Sequence, residues 1–493
     1  MAFDLLETTI DAIQAAYRAG ELSARDLVQL YLNRIEVYDK KGPNINAIIT
    51  IAPDLLEQAD RLDAAYGTSG PVGPLHGVPV ILKDQLDAKG TPTTLGSILL
   101  KDYYPDRDAF VTEKLRRAGA IILGKATLGE LGGGDTHGTL FGSTRNPWDL
   151  ERTAGGSSGG TGAAVSANFA AIGVGQEGFA SIRRPAAWNG IVGMRPTAGL
   201  VSRGGVYDGW PGIAGSLGPM ARTVRDLAIL LDVMVGYDPE DPITALGVGK
   251  VPATYTASLD PQGLQGARIG IIRESMGRFS EPGTEDFEKV ARVFDAAVAD
   301  LEKAGATLVD PVVIPHLNEL LAQRTSGDRG GSEGRWDAYY RRSAKRPFKT
   351  MTELLQTPGY KPMGSMGAVH GEPPYEHLQA RETLMFNVMK AMADHQLDAI
   401  VHRTVEHQPT LIRDGVNPPF VNTKGVTHIN TFLVYVSSMS VPAGYTSDGL
   451  PVGITFLGRG YDEPTILKLA YAYEQATMHR TSPATTRAIA SYC

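Results

Sequence analysis

The chain has 493 residues, of which 47 are Lys or Arg and 54 are Asp or Glu, so its formal net charge is −7. A mildly acidic chain without a long Lys/Arg run lacks the electrostatic footprint of a nucleic-acid-binding protein. The single cysteine, Cys493, excludes a disulfide framework and a cysteine-ligated metal centre, and it fits a reducing compartment. The ten histidines show no metal-ligand spacing, so neither a metal nor a cofactor is expected.

The N-terminal residues lack the pattern of a secretory signal peptide, so we expect a mature protein that is not secreted. Asp4 stands where a signal peptide carries positive charge, and no apolar run of the required length follows. The longest wholly apolar stretches, such as 78–82, fall far short of the roughly 20 residues that a membrane helix needs. We therefore expect a cytoplasmic protein that makes no contact with a membrane or a nucleic acid.

Hydrophobic periodicity predicts helices that alternate with short apolar strands over most of the chain. Ser23 and Asp26 are expected to form a capping box at the start of the second helix. The predicted helices cover 8–18, 23–39, 53–65, 109–118, 160–170, 221–235, 284–304, 377–395 and 464–478. The predicted strands cover 78–83, 119–124, 171–175, 267–272, 397–401, 436–441 and 451–457. This alternation predicts a layered α/β fold with a largely parallel or mixed sheet.

Three segments, 237–265, 325–334 and 357–376, have the composition of irregular structure. Because strand–helix alternation resumes after each of them, we expect one domain spanning 1–493 with insertions. The segment 357–376 is long for a loop inside a compact domain, and such loops are usually functional or disordered. A substrate-facing lid and a bland surface loop are both compatible with it.

Glycine is the compositional oddity of the chain. Of the 57 glycines, 25 lie between Gly119 and Gly218. Interior glycine weakens both helices and strands. This density therefore predicts a set of tight turns that bring backbone close to another group.

Three familiar glycine motifs fit this segment poorly. The run 119–125 approaches a phosphate-binding loop, but Ala126 stands where a Ser or Thr should follow the lysine. The run 173–178 matches G-x-G-x-x-G but lacks the acidic residue expected about 20 residues later. The run 155–159 matches the G-x-S-x-G nucleophile elbow, which would take an acid and one of the histidines His402, His407 and His428, but no apolar strand precedes it.

A fourth interpretation joins three distant elements. The block 155–160 reads Gly-Gly-Ser-Ser-Gly-Gly, Ser181 follows Ser157 by 24 residues, and Lys83 ends a predicted strand. With these residues the chain resembles the amidase signature family, serine hydrolases that cleave amide bonds with a Ser-cisSer-Lys triad. The resemblance runs almost end to end and includes 73–79, 146–148, 190–197, 218–222, 441–444 and 450–453.

The resemblance implies the fold and the catalytic residues. It implies a large mixed, mostly parallel sheet covered by helices on both faces. It also implies that Ser181 is the nucleophile, that Ser157 is a bridging serine on a cis peptide after Gly156, and that Lys83 is the base. These residue types suit the chemistry, because a serine hydroxyl needs a base to take its proton. A lysine serves as that base only when its environment lowers its pKa from about 10.4.

The resemblance also implies an oxyanion hole formed by the backbone N–H groups of Gly178, Phe179, Ala180 and Ser181. The chain departs from the family here, since Phe179-Ala180 replaces the usual Gly-Gly pair. Either the turn does not need positive φ, or Gly178 supplies that freedom. Phe179 either shapes the acyl pocket or packs in the core, and Glu177 is expected to pair with Arg183.

The substrate is the least determined feature. The resemblance implies a small or medium carboxylic amide and water as substrates, with backbone contacts from Gly132 and Gly133. The variable region, roughly 240–430, is expected to shape the pocket. Trp210, Tyr207 and Asp208 form either a pocket wall or an exposed turn. Four side chains indicate an apolar acyl or aryl group: Met363, Met366, Phe420 and Phe432.

Three alternatives stay open. The first is a carbamate or ester hydrolase of the same family, since one acyl-enzyme serves all three substrate classes. The second is the glutaminase subunit of an amidotransferase, which would pass ammonia to a partner. The third is a non-catalytic binding scaffold. A homodimer is compatible with the sequence, which does not determine the oligomeric state.

Overall fold

The protein is described by a computed structural model that covers residues 3–207, 215–323, 332–363, 375–427, 429 and 435–488. Its strands are β1 (Ile48–Ile51), β2 (Pro79–Lys83), β3 (Ile121–Ala126), β4 (His137–Gly138), β5 (Gly142–Ser143), β6 (Arg145–Asn146), β7 (Asp149–Thr153), β8 (Ile172–Glu177), β9 (Val192–Arg195), β10 (Ser216–Ala221), β11 (Arg268–Ile271), β12 (Gly277–Arg278), β13 (Thr307–Val309), β14 (Ala399–Arg403), β15 (Val426–Thr427), β16 (Ser438–Tyr445) and β17 (Pro451–Leu457).

The α-helices of the described ranges are α1 (Ile10–Ala19), α2 (Ala24–Ile35), α3 (Leu55–Ser69), α4 (Phe110–Arg117), α5 (Gly159–Ser166), α6 (Arg183–Trp188), α7 (Val224–Met234), α8 (Glu285–Lys303), α9 (Leu317–Leu321), α10 (Ser332–Tyr340), α11 (Met351–Leu355), α12 (Tyr375–Asp394), α13 (Ile412–Val416) and α14 (Glu463–Thr477). Within those ranges, no helix is both long and apolar enough to cross a membrane.

One sheet of 11 strands forms the centre, in the order β1-β3-β2-β8-β10-β9-β16-β17-β14-β11-β13. The mixed sheet of the predicted α/β fold is confirmed. Parallel pairing occurs in two blocks, where β2 joins β3 and β8, and where β11 joins β13 and β14. The neighbours between and beside these blocks are antiparallel. Parallel pairing therefore does not extend through the whole sheet, because short returns such as the turn from β16 to β17 reverse the chain, whereas parallel pairs need a crossover.

Helices lie on both faces of this sheet, as predicted. Strand β17 demonstrates this, since side chains three positions apart point to opposite faces. A Cβ atom on Gly453 would lie 2.8 Å from the Cβ of Ala187 in α6. On the other face, the ring of Phe456 meets that of Tyr473 in α14, with centroids 6.1 Å apart. The serine-bearing loops lie on the α5–α6 side of this sheet.

Local sequence signals set many of the element boundaries. The capping box at α2 is confirmed, since the Ser23 side chain accepts from the Asp26 N–H and the Asp26 carboxylate accepts from the Ser23 N–H. Of the 11 strands of the central sheet, the pattern analysis missed four, β1, β9, β10 and β13, and it also missed the six short strands outside that sheet. In β10 the reason is physical: Gly218 and Pro219 interrupt the apolar pattern, and proline cannot donate to a ladder.

Candidate active site

Lys83 ends β2, the third strand from one edge of the sheet, between β3 and β8, and its side chain is fully buried. Its Nζ donates to Ser157 Oγ at 2.7 Å and to the carbonyl oxygen of Gln176 at 3.2 Å. A buried amino group is tolerated only where such hydrogen-bond partners replace water. Strand β2 thus places the amino group of Lys83 in direct contact with Ser157, one of the two predicted catalytic serines.

Ser157 lies in a glycine-rich loop between β7 and α5. The Gly156–Ser157 peptide bond is cis, as the resemblance implies. A Cβ atom on Gly156 would lie 2.5 Å from the carbonyl oxygen of Gly134, so this position accepts only glycine. The Gly129 N–H donates to the Ser157 carbonyl oxygen at 3.0 Å. The loop is therefore held against the segment 129–134.

Ser181 occupies the turn between β8 and α6 and is partly exposed. The N–H of Ser158 donates to the Ser181 carbonyl oxygen at 3.1 Å, which joins the two serine-bearing segments. The Ser181 hydroxyl makes no hydrogen bond within the described part of the chain, so the direct side-chain link is the one between Lys83 and Ser157. Catalytic hydrogen bonds are often long in free enzymes and tighten when substrate binds.

Glu177, the last residue of β8, fixes the turn that carries Ser181. Its carboxylate accepts from the N–H groups of Ile182 and Arg183, both at 2.9 Å, and from Arg183 Nε at 2.8 Å. Arg195 Nη1 lies 3.9 Å from the same carboxylate. Burial raises the pKa of Glu177, but Arg183 and Arg195 together hold this pKa below its usual value, so the carboxylate is ionised at neutral pH. The predicted pairing with Arg183 is confirmed.

The Phe-Ala pair in this turn introduces no left-handed backbone. None of Gly178, Phe179 and Ala180 has positive φ. The first of the two explanations therefore holds: the turn does not need the freedom of glycine. Within the described ranges, the N–H groups of Gly178, Ala180 and Ser181 donate to no protein acceptor. Within these ranges, the turn therefore leaves these three N–H groups unused as hydrogen-bond donors.

Arg184, which the sequence analysis did not single out, connects the loops around Ser157. Its Nε donates to the carbonyl oxygen of Gly156 at 3.0 Å, and its Nη2 donates to that of Gly134 at 3.0 Å. Its Nη1 lies 2.8 Å from Asp135 Oδ1, and both side chains are almost fully buried. No motif spacing links residues 135 and 184. The available signal was the repeated arginine at the start of α6.

Gly132 and Gly133, predicted to contact substrate, form a short 3-10 turn with Glu130. Their N–H groups donate to the carbonyl oxygens of Gly129 and Glu130, at 2.8 and 3.2 Å. The turn therefore already uses these donors. The next residue, Gly134, lines a cleft together with Phe179. Substrate contact by Gly132 and Gly133 stays a prediction.

Phe179 has the packing role that was one of the two expected for it, and its role in shaping the acyl pocket stays a prediction. It packs in a buried cluster with Ala180, Ala187, Trp188, Val405 and Val426. It also lines the cleft, which has a volume of about 450 Å³. The aromatic side chain that replaces a family glycine is therefore both a packing group and part of a pocket wall.

Other predicted pocket groups have mixed outcomes. Tyr207 is buried against Trp336 and Tyr339, with ring centroids 6.0 and 5.7 Å apart, so it does not lie in an exposed turn. The base of the 357–376 segment is anchored, because Glu130 accepts from the Tyr360 hydroxyl and the Met363 N–H. Four candidates lie outside the described residues: Asp208, Trp210, Met366 and Phe432.

Within the described ranges, neither His402 nor His407, which were candidates in the nucleophile-elbow interpretation, makes a hydrogen bond or ion pair with a serine. His407 pairs with Asp286, at 3.2 Å, rather than with a serine. His402 is buried, and burial lowers its pKa to about 3. His428 lies outside the described residues. Among the residues that the structure describes, no cluster of three or more His, Cys, Asp or Glu side chains could hold a metal ion.

Comparison with known proteins identifies the family to which a chain with this fold and these site residues belongs. The model of the family described as Amidase matches residues 26–467. The chain therefore belongs to the amidase signature family, as the sequence resemblance indicated.

Its matches include proteins named as amidotransferase subunits and proteins named as amidases. A glutamyl-tRNA(Gln) amidotransferase subunit from Symbiobacterium thermophilum is 35% identical over 490 residues, covering 95% of this chain and 97% of that protein. The structure of a native peptide amidase from Stenotrophomonas maltophilia matches with a TM-score of 0.84 and 33% identity, covering 98% and 99% of the two chains. The corresponding glutamyl-tRNA(Gln) amidotransferase subunit from Thermotoga maritima matches with a TM-score of 0.73 and 27% identity, covering 96% and 95%.

Proposed function

We propose that the chain is an amidase that hydrolyses the C–N bond of a small or medium carboxylic amide through an acyl-enzyme on Ser181. The observation that carries this proposal is the buried 2.7 Å hydrogen bond between Lys83 Nζ and Ser157 Oγ. This bond lies next to the turn that holds Ser181, because Ser158 and Ser181 are joined through their backbones. Lys83, Ser157 and Ser181, to which this proposal assigns the roles of base, relay and nucleophile, thus lie on three adjacent segments.

The reaction follows from these groups. Ser181 Oγ attacks the amide carbon while its proton passes to Ser157 Oγ, whose own proton passes to the neutral amine of Lys83. The negative oxygen that forms is stabilised by N–H groups of the turn 178–181. The C–N bond breaks as Lys83, through Ser157, returns a proton to the leaving amine. Water then attacks the Ser181 ester by the same route and releases the carboxylic acid.

The decisive test is covalent labelling by a fluorophosphonate probe. We expect the wild-type chain to be labelled on Ser181, with loss of both labelling and amide turnover in Ser181→Ala. A matched control is Ser69→Ala, since Ser69 is an exposed serine at the end of α3. Undiminished labelling of Ser181→Ala would overturn the assignment of the nucleophile. Absence of labelling in the wild type would favour a non-catalytic scaffold.

The same acyl-enzyme could be formed from a carbamate or an ester. A panel of aryl amides, aliphatic amides, peptide C-terminal amides, carbamates and esters, assayed side by side, separates these classes. We expect the highest kcat/KM for an amide. A larger value for a carbamate or ester would reassign the substrate class and leave the catalytic residues in place.

The second candidate is the glutamine-using subunit of an amidotransferase, which the names of the sequence relatives support. In that case Ser181 would be acylated by the side chain of glutamine, and the released ammonia would go to a partner subunit. The two candidates differ in what the isolated chain does. A simple amidase turns over amides alone, whereas a glutaminase subunit prefers glutamine and responds to its partners.

A further inference from the structure

We infer that the cleft beside the Ser181 turn is a subsite for an aromatic or bulky apolar group on the acyl part of the substrate. Three of the 11 residues that line it are phenylalanines: Phe179, Phe279 and Phe420. This inference rests on the proposed function and names the substrate class of the same site.

Two wall residues of the cleft belong to or contact the segments that carry the predicted catalytic serines. Phe179, in its wall, precedes Ser181 by two residues. Gly134, also in its wall, lies against Gly156, the residue before Ser157. A volume of about 450 Å³ is within the range of small-molecule sites and accommodates a ring with a short chain. The walls of the cleft are thus continuous with the turn that carries Ser181 and in contact with the loop that carries Ser157.

Two of the phenylalanines are exposed at the cleft. The exposed fraction is 63% for Phe279 and 55% for Phe420, although large apolar side chains are usually buried. Both residues also have positive φ, 54° and 58°, which is uncommon for a bulky side chain. Strained backbone persists where the surroundings over-determine it and clusters at ligand sites. The exposure and the positive φ of Phe279 and Phe420 both indicate that these side chains are positioned to contact a ligand.

The segment carrying Phe279 is fixed by a buried carboxylate, Glu406. This carboxylate accepts from the hydroxyls of Ser275 and Ser280, both at 2.6 Å. It also accepts from the N–H groups of Met276 and Gly277, at 2.8 and 3.0 Å. Four hydrogen bonds to one buried carboxylate pre-organise this wall.

The loop carrying Phe420 is fixed to the catalytic side of the cleft. Asn422 Oδ1 accepts from the Asp135 N–H at 3.2 Å, and its Nδ2 donates to the carbonyl oxygens of Gly415 and Phe420 at 3.2 and 3.3 Å. Asp135 in turn pairs with Arg184, which binds the Gly156 carbonyl. The second aromatic wall is therefore connected to the Ser157 loop by direct contacts.

The charged side chains that line the cleft contact one another or one of its rings. The Arg278 guanidinium lies over the ring of Phe279, 4.8 Å from its centroid, and Lys424 pairs with Glu281 at 2.8 Å. A guanidinium stacked on a ring leaves the other face of that ring for an aromatic partner. A glutamine side chain offers no such apolar surface. The cleft therefore favours an aromatic acyl group over a small polar one.

Two sulfonyl fluorides test this without relying on amide turnover. Each transfers its sulfonyl group to Ser181 Oγ and releases fluoride and a proton. We expect phenylmethanesulfonyl fluoride to label Ser181 at least tenfold faster than methanesulfonyl fluoride, after correction for their hydrolysis in water. Phe279→Ala and Phe420→Ala should each lower this ratio about 3–10-fold. Phe386→Ala is the matched control, since Phe386 is equally exposed, at 58%, on α12.

The outcomes separate the subsite from the proposed function. Labelling of Ser181 at a ratio that neither variant changes would overturn the subsite and leave the nucleophile in place. If neither reagent labels Ser181, the proposed function fails, and binding is measured by calorimetry with N-acetylphenylalanine amide and N-acetylglycine amide. Tighter binding of the phenylalanine compound that is lost in Phe279→Ala supports the subsite. Equal binding of the two compounds overturns it.

Discussion

The guanidinium of Arg184 lies 2.8 Å from the carboxylate of Asp135, and both side chains are buried. The same guanidinium binds the carbonyl oxygens of Gly156 and Gly134. One pair thus fixes the backbone immediately before Ser157 and a wall of the cleft. Buried ion pairs add little net stability, but breaking one leaves an uncompensated charge. We therefore expect this ion pair to act mainly on the position of the Ser157 loop rather than on the stability of the protein.

Replacing Arg184 should slow catalysis through the position of Ser157. For Arg184→Met we expect kcat to fall about 10–100-fold, because small displacements of catalytic groups have effects of that size. Arg184→Lys keeps the charge but loses the planar fork of donors, so an intermediate kcat is expected. Steady-state kinetics on the best amide of the substrate panel measure both effects.

Arg341→Met is the control for this prediction, since Arg341 is exposed and pairs with Asp337. Circular dichroism establishes that each variant is folded. A folded Arg184→Met with unchanged kcat would show that the pair does not position Ser157.

The two buried lysines of neighbouring strands should separate catalysis from stability. Lys83 in β2 contacts Ser157, whereas Lys125 in β3 pairs with Asp84 at 3.0 Å. Lys83→Met should lower kcat by at least about 10³-fold, near the upper range for loss of general base catalysis. Lys125→Met should lower the free energy of unfolding by about 3–5 kcal/mol, because it leaves Asp84 buried and unpaired.

Kinetics and urea denaturation of both variants check this contrast. Asp84→Asn in the Lys125→Met background serves as the control, since removal of the second charge should recover part of the lost stability. If Lys125→Met abolished turnover at full stability, the base would have to be reassigned.

The parts of the fold that could be predicted from the sequence are those with a clear local hydrophobic pattern. Periodic segments such as α8 and α14 were recognised because amphipathic spacing is a property of the segment itself. Strand β10 was missed because Gly218 and Pro219 hide it, and its place between β8 and β9 is set by long-range pairing. The sheet order, with parallel pairing in two blocks, is likewise a tertiary property that no single segment encodes.

The candidate site likewise contains residues that could be predicted from the sequence and residues that could not. Lys83, Ser157 and Ser181 could be named because their spacing forms a recognisable conjunction, and the Glu177–Arg183 pair followed from residues six positions apart. Arg184 with Asp135, and Glu406 with its four donors, could not be named, because each pairs residues far apart in sequence. The Lys83–Ser157 hydrogen bond is a distance that only the folded chain supplies.

The pH dependence of stability should depend on Glu474 in α14. Burial, opposed by a hydrogen bond from the Val224 N–H and reinforced by nearby Asp226, raises the pKa of Glu474 to about 7. Between pH 4.5 and 7 the folded chain keeps a proton that the unfolded chain releases. This stabilisation is complete below pH 4.5 and is lost as pH rises through 7.

Glu474→Gln cannot ionise and still offers an oxygen to the Val224 N–H. We therefore expect its melting temperature, relative to the wild type, to rise between pH 5 and pH 8. Calorimetry across this range measures the difference, with Glu382→Gln as the control because Glu382 is exposed on α12. A wild-type and Glu474→Gln difference that is constant with pH would contradict the assigned titration.

The wall of the cleft should depend on Glu406 as much as on its phenylalanines. Glu406→Ala removes the common acceptor of four donors in the segment 275–280 and thereby releases Phe279. We expect the ratio of kcat/KM for phenylacetamide to that for acetamide to fall about 3–10-fold, as for Phe279→Ala. Glu406→Gln keeps one acceptor oxygen and should lie between the two.

Glu113→Gln is the control for Glu406, since Glu113 is an exposed carboxylate on α4 that pairs with Arg117. A structural role without connection to the subsite would lower kcat/KM for both amides equally and leave their ratio unchanged. Positioning of Phe279 predicts the opposite, a loss confined to phenylacetamide, because acetamide is too small to reach the ring. Adding Glu406→Ala to Phe279→Ala should then lower the ratio no further, since residues that act through one contact are not additive.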